Sequence, residues 1–226
     1  GSISHKKEEK RWTELIDAVM EGKVIPVIGA DFLIDNNEDN VGNLHQQIVD
    51  ALASAYDVKS RPESFSQLAY DKDFLYGTNY EAEAIYEKID ELLNQVVDEG
   101  QLSPNKLMMR LLKLRKFPFV ITTSFTPVVE MAMREAWPDK KVRVLQFCND
   151  PNFNRTVGKG DIESELDMNL PTVYYMFGKY SDNKSYVVTD MDMMNFCKKW
   201  ISGGSNVPRV LTEVIKKRYL LIFGDV

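Results

Sequence analysis

Val24-Ile-Pro-Val-Ile28, followed at once by Gly29-Ala30-Asp31-Phe32-Leu33, decides how this chain reads. A short apolar run entering a Gly-Ala turn is the pattern of a buried strand. In α/β folds such a strand delivers backbone N–H groups to a phosphate. Glycine suits the turn because a side chain there would block the approach of main chain to ligand. A plain tight turn uses the same residues, so the rest of the chain must say which reading holds.

Outward from this strand, residues 6 to 21 read as an amphipathic helix burying Trp12, Leu15, Ile16 and Val19, with Gly22 at its end. A polar loop from Asp35 to Asn43 leads to a second helix bearing Leu44, Ile48, Leu52 and Ala55, with His45 on its exposed side. Residues 60 to 79 suggest short helices and loops. Tyr80 to Glu99 is a long helix with an apolar stripe, and Ser103-Pro104 cap another through Leu112. Residues 43 to 116 thus form a helical insertion between two parts of a core, 1–42 and 117–226.

Strand character returns at Phe119-Val-Ile-Thr-Thr123, and Thr126-Pro127 start a helix with Val128, Val129, Met131 and Met133. Further strands are expected at 142–147, 172–176, 186–188 and 219–223, with helices at 190–200 and 207–218. A polar loop at 149–169 is long enough to suggest a functional segment. Asp190 is expected to cap its helix and Asp192 to face solvent, while Met191, Met193 and Met194 pack one helix face. Strands alternating with helices predict an α/β, Rossmann-like fold with a mostly parallel sheet. Ligands of such sheets lie beyond the carboxyl ends of the strands. The residues to watch are therefore Gly29 to Leu33, Thr123 to Thr126, Phe177-Gly178 and Gly224-Asp225.

A formal charge of −6 over 226 residues argues against a dedicated nucleic-acid or acidic-membrane binder. Cys148 and Cys197 cannot build a zinc ribbon, neither has a histidine nearby in sequence, and His5 and His45 are too sparse for a histidine-rich metal site. No metal is expected. Neither a membrane-spanning apolar run nor a signal peptide is visible, so the cytoplasm is the default location.

In order and spacing, the strand exits resemble those of the sirtuin-like NAD-binding family, especially its bacterial anti-phage defence members. That family shows Gly-Ala-Gly-x-Ser, Thr-Thr-Asn-Tyr-Asp, His-Gly and a closing Gly-Tyr-Ser. The matching stretches are Gly29-Ala30-Asp31-Phe32-Leu33, Thr122-Thr123-Ser124-Phe125-Thr126, Phe177-Gly178 and Gly224-Asp225-Val226. Glu130 and the Val188-Thr189-Asp190 step also fit. The resemblance implies a site for NAD or an ADP-ribose-type nucleotide at Gly29, Ala30, Asp31, Thr123, Ser124, Gly178, Gly224 and Asp225. It also implies self-association and a further domain of the same chain, of TIR type, beyond Val226.

The departures fall on the family's chemistry. Phe177 stands at the position of its histidine, Ser124 at that of its water-placing asparagine and Thr126 at that of its acid. Asp31 replaces the second glycine of the phosphate turn and brings a negative charge toward any pyrophosphate. The expected function is a degenerate nucleotide-binding or assembly module that does not itself hydrolyse NAD. One alternative is an NAD hydrolase with a rearranged site, using Asp31 or Asp225. The other is an interaction domain whose pocket is filled by Phe32, Phe125 and Phe177. A histidine from elsewhere, such as His45, folded against the cleft would undercut the degenerate reading.

Overall fold

The computed structural model describes residues 2–35, 43–81, 83–147, 170–180, 186–202 and 215–224. Its strands are β1 (Val24–Ile28), β2 (Phe119–Thr122), β3 (Arg143–Gln146), β4 (Thr172–Tyr175) and β5 (Tyr219–Phe223). Its helices are α1 (Ser2–Met20), α2 (Leu44–Ala55), α3 (Phe65–Ala69), α4 (Lys72–Gly77), α5 (Ala84–Asp98), α6 (Lys106–Lys113), α7 (Val128–Ala136) and α8 (Asp190–Ile201), with a 3-10 turn at Ala30–Phe32. The expected loop at 149–169, Cys148, most of the expected helix at 207–218 and Asp225 lie outside the described residues.

All five strands are parallel, in the order β3-β4-β2-β1-β5. This is the predicted Rossmann-like α/β sheet flanked by helices. Each strand of the central three is buried along its length, as β-branched and aromatic runs covered on both faces require. Val24, Ile28, Val120, Val173 and Tyr175 point into the larger core with the helices. Ile25, Val27, Phe119, Ile121 and Tyr174 alternate onto the opposite face. The neighbours β4 and β2 send their chains opposite ways, β2 through α7 to β3 and β4 through α8 to β5. In parallel sheets of this kind ligands lie beyond the carboxyl ends of the strands, near where the direction of the connections reverses.

Several local expectations are corrected. Trp12 and Ile16 are exposed, because α1 meets the core only through Leu15, Ala18 and Val19. The fifth helix begins at Ala84, since Asn79 and Tyr80 adopt left-handed backbone that closes α4 through the Tyr80 N–H to Leu75 O bond. Asn105, not Ser103, caps α6, its side chain accepting from Met108 N–H. Thr126 caps nothing; its hydroxyl turns to Ser124, and α7 starts without a side-chain cap. Residues 186–188 form no strand, their one sheet-like bond running from Val187 N–H to Phe177 O. Met191 and Met194 are exposed rather than packed.

Among the described residues, no helix is long and apolar enough to cross a membrane.

Candidate functional site

The exit of β1 is stitched into the sheet. Gly29 keeps extended backbone (φ −87°, ψ 170°), and its N–H donates to Phe223 O at 2.8 Å. That amide is therefore spent on β5 and is not offered to a ligand. Ala30 to Phe32 then make the 3-10 turn, closed by Phe32 N–H to Gly29 O. Asp31 is exposed and accepts a hydrogen bond of 2.5 Å from Asn43 Nδ2, at the start of α2. Its charge thus sits beside the turn, held outward by the helical block.

At the exit of β2 the chain turns inward. Thr123 N–H donates to Ile28 O, tying this exit to that of β1. Ser124 and Thr126 are fully buried, and Ser124 Oγ accepts from Thr126 N–H at 3.1 Å and lies 2.8 Å from Thr126 Oγ1. A third partner completes the set: His45 Nε2 lies 2.8 Å from Ser124 Oγ. His45 is thus not on the exposed side of α2, as the sequence reading had it. Its ring stacks on Phe125 at 4.7 Å and meets the edge of Phe65.

Packing among these rings strips water from the imidazole. Burial lowers the His45 pKa from its ordinary 6.5 to about 4, against a weaker upward pull from the Asp31 carboxylate. Near neutral pH the ring is uncharged and a weak base.

β4 exits through Phe177 and Gly178. Gly178 needs its freedom here (φ +87°), where its N–H turns back to Tyr175 O. Below this turn, Glu130 accepts from Tyr175 Oη at 2.9 Å and Lys179 Nζ at 2.8 Å, and pairs with Arg134. Burial alone would raise the Glu130 pKa, but these donors outweigh it and hold the carboxyl below its usual range. The cluster fixes the turn that carries Phe177.

These exits share a cleft of about 270 Å³. Ala30, Thr123 and Phe177 come from the strand ends, His45 and Phe65 from the helical block, and Val187 to Asp190 with Met193 form the remaining wall. A neighbouring hollow of about 230 Å³ shares His45, Phe65, Val188 and Asp190. Phe125 and Phe177 both line the cleft, Phe125 buried against His45 and Phe65 and Phe177 edge-on to Phe196. Phe32 takes no part; it stacks on Phe223 at 5.3 Å.

The helical block is latched to the core at this mouth. Thr189, not Asp190, caps α8, and Asp192 closes the capping box instead of facing solvent. Asp192 accepts from Val188 N–H, Thr189 N–H and Tyr86 Oη. Burial and that carboxylate push the Tyr86 phenol well above its ordinary pKa. Tyr186 Oη donates to Asp90, and Asp190 N–H donates to Ser66 Oγ.

Of the residues expected at the site, the structure gathers Ala30, Thr123 and Phe177 at the cleft. Ser124 lies buried beneath it, Gly29 and Gly178 shape turns behind it, and Asp31 is turned to Asn43. Gly224 packs elsewhere, against Asp31 and Phe32. His45, expected on the exposed side of its helix, instead folds against the cleft, which is the arrangement named above as undercutting the degenerate reading. It lies at i, i+3, i+4, i+7 and i+8 with Ile48, Val49, Leu52 and Ala53, the buried stripe of α2, so the helical period did mark its face. Cys197 is exposed and free. Among the described residues, no three His, Cys, Asp or Glu side chains converge as a metal ion needs.

No family model and no curated protein matches this chain. The sirtuin-like reading therefore rests on the strand-exit motifs and their order alone.

Proposed function

We propose that this chain is a nucleotide-binding module of sirtuin-like type that takes NAD or an ADP-ribose-type ligand without hydrolysing it. The observation that supports the reading best is the convergence of Ala30, Thr123 and Phe177 on one open cleft. It lies beyond the carboxyl ends of the strands, where parallel sheets take their ligands. Aromatic walls suit a planar base or nicotinamide ring.

Loss of hydrolysis follows from the chemistry at the motif positions. The resemblance puts Ser124, Thr126 and Phe177 where the family keeps its proton-handling groups. Ser124 is buried and bonded to Thr126 and His45, so it presents no water-holding amide to the cleft. By the same resemblance, the module serves sensing or assembly in a longer bacterial defence protein, beside a further domain of TIR type.

One observation favours a second reading, an NAD hydrolase with a rearranged site: His45 brings to the β2 exit the imidazole that Phe177 lacks. A base of pKa about 4 is poorly matched to proton transfer near neutrality, which is why binding alone is preferred. Calorimetry with NAD and ADP-ribose, run beside an assay of nicotinamide release with any partner domain disabled, separates these readings. Binding without turnover supports the proposal. Turnover abolished by His45→Ala establishes the hydrolase instead. Neither heat nor turnover leaves an interaction domain.

A further inference from the structure

We propose that the hollow beside the Tyr86–Asp192 latch is a second ligand site, for a small organic cation with an alkylated ammonium group on an apolar body. The hollow measures about 280 Å³ and lies between α3, α4 and α5 of the helical block and the start of α8. It is separate from the cleft, with which it shares only Thr189. Three aromatic rings line it. Phe74 is buried and edge-on to Tyr56, and makes the floor. Tyr86 is held by its hydroxyl to Asp192 and by its ring to Tyr186. Tyr70 and Met191, 69% and 55% exposed, stand at the rim. Such rings offer negative π-faces, and the thioether adds a soft, polarisable contact.

The charge on the lining has one sign. It comes from Glu81 and Asp192, and no lysine, arginine or histidine lines the hollow. Val188 N–H, Thr189 N–H and Tyr86 Oη all converge on Asp192 Oδ2, so among the described residues Oδ1 accepts no hydrogen bond. Glu81 reaches the rim because the left-handed pair Asn79 and Tyr80 turns the chain back after α4. Its carboxylate joins no ion pair among the described residues. Carboxylates beside aromatic faces attract a cation. The apolar floor selects one that sheds water easily, as an alkylated ammonium does and a hydrated metal ion does not. A phosphate would meet only repulsion here, so the ligand of this hollow differs in class from a nucleotide.

Benzyltrimethylammonium, titrated into the full chain with isotope-labelled methionine methyls, tests the proposal. Saturable binding with a Kd of about 1 mM is expected for so small a ligand. The Met191 methyl resonance, assigned through Met191→Leu, should shift, while that of Met193, which lines the cleft, should not. Benzoate and benzyl alcohol keep the ring and lose the cation, and should bind at least about tenfold more weakly. Glu81→Gln should weaken the probe about threefold and Tyr70→Ala about fivefold. Both side chains are exposed, so the far-ultraviolet circular dichroism should not change. No saturation up to about 20 mM overturns the proposal. So does equal binding of benzoate, a shift at Met193 instead of Met191, or full affinity in both variants. None of these outcomes depends on whether the cleft takes a nucleotide.

Discussion

His45 Nε2 and Ser124 Oγ lie 2.8 Å apart although 79 positions separate them in the chain. The contact joins the helical block to the exit of β2, and it decides the electrostatics of the cleft. The hydroxyl accepts from Thr126 N–H, so its own hydrogen is available to the imidazole or to Thr126 Oγ1. Whichever tautomer forms, the uncharged ring is the one that fits among Phe65 and Phe125.

That preference predicts an acid-sensitive fold. The folded-state pKa of His45 is depressed to about 4 from 6.5. The unfolded chain therefore takes up a proton first as pH falls. The stabilisation is complete above about pH 6.5 and is lost between there and about pH 4. Urea unfolding across this window should show a loss on the order of 2 kcal/mol, and His45→Phe should remove that component of the pH dependence. An unchanged profile in the variant would show that other groups set the acid limit.

Asp31 adjoins the cleft residue Ala30 but turns its carboxylate to Asn43. Turned to Asn43, that carboxylate would act on a pyrophosphate in the cleft through water, where its repulsion is weak and screened by salt. Asp31→Gly should accordingly tighten ADP-ribose binding only about threefold at low salt, with the gain vanishing near 0.5 M salt, roughly where the Debye length falls below contact distances. Calorimetry at the two salt concentrations measures this. A gain that persists at high salt would place the carboxylate against the phosphates.

Asp192 carries both the start of α8 and the latch to the helical block, accepting from Val188 and Thr189 N–H groups and from Tyr86. Asp192→Ala should cost about 2–3 kcal/mol in denaturant unfolding, one cap plus a stranded phenol. Tyr86→Phe, which leaves the cap intact, should cost about half as much.

Gly224 has φ +78°, and a Cβ there would lie 3.3 Å from the Phe32 backbone nitrogen and Cβ. Gly224→Ala should destabilise by about 1–2 kcal/mol through strain and crowding together. A neutral result would mean that the turn at Ala30–Phe32 shifts to make room, and ligand affinity should then change with it.

The sheet was readable in the sequence because buried parallel strands leave continuous apolar runs. Phe119 to Thr122 follows to within a residue. Tyr219 to Phe223 has its expected bounds, but it is an exposed edge strand rather than the buried one its apolar run suggests, because only one neighbour pairs with it. Caps were less readable: Asn105 beat Ser103, and Thr189 beat Asp190, through side-chain hydrogen bonds that several neighbouring residues are equally able to make. At the site, Ala30, Thr123 and Phe177 were found because strand ends define where a ligand lies. Ser124 was not placed correctly, since composition does not say whether a hydroxyl at a strand exit turns in or out. His45 was read as exposed because the stripe counted on its helix began at Leu44 and omitted Val49 and Ala53, with which it is in phase.

The bond from Gly29 N–H to Phe223 O means that β1 is not finished until β5, far along the chain, has joined it. A nascent polypeptide on the ribosome therefore lacks a settled floor for the cleft until β5 has emerged. Slow, late closure is what such long-range parallel pairing entails. Truncation before Tyr219 should therefore leave the exit of β1 without its partner strand.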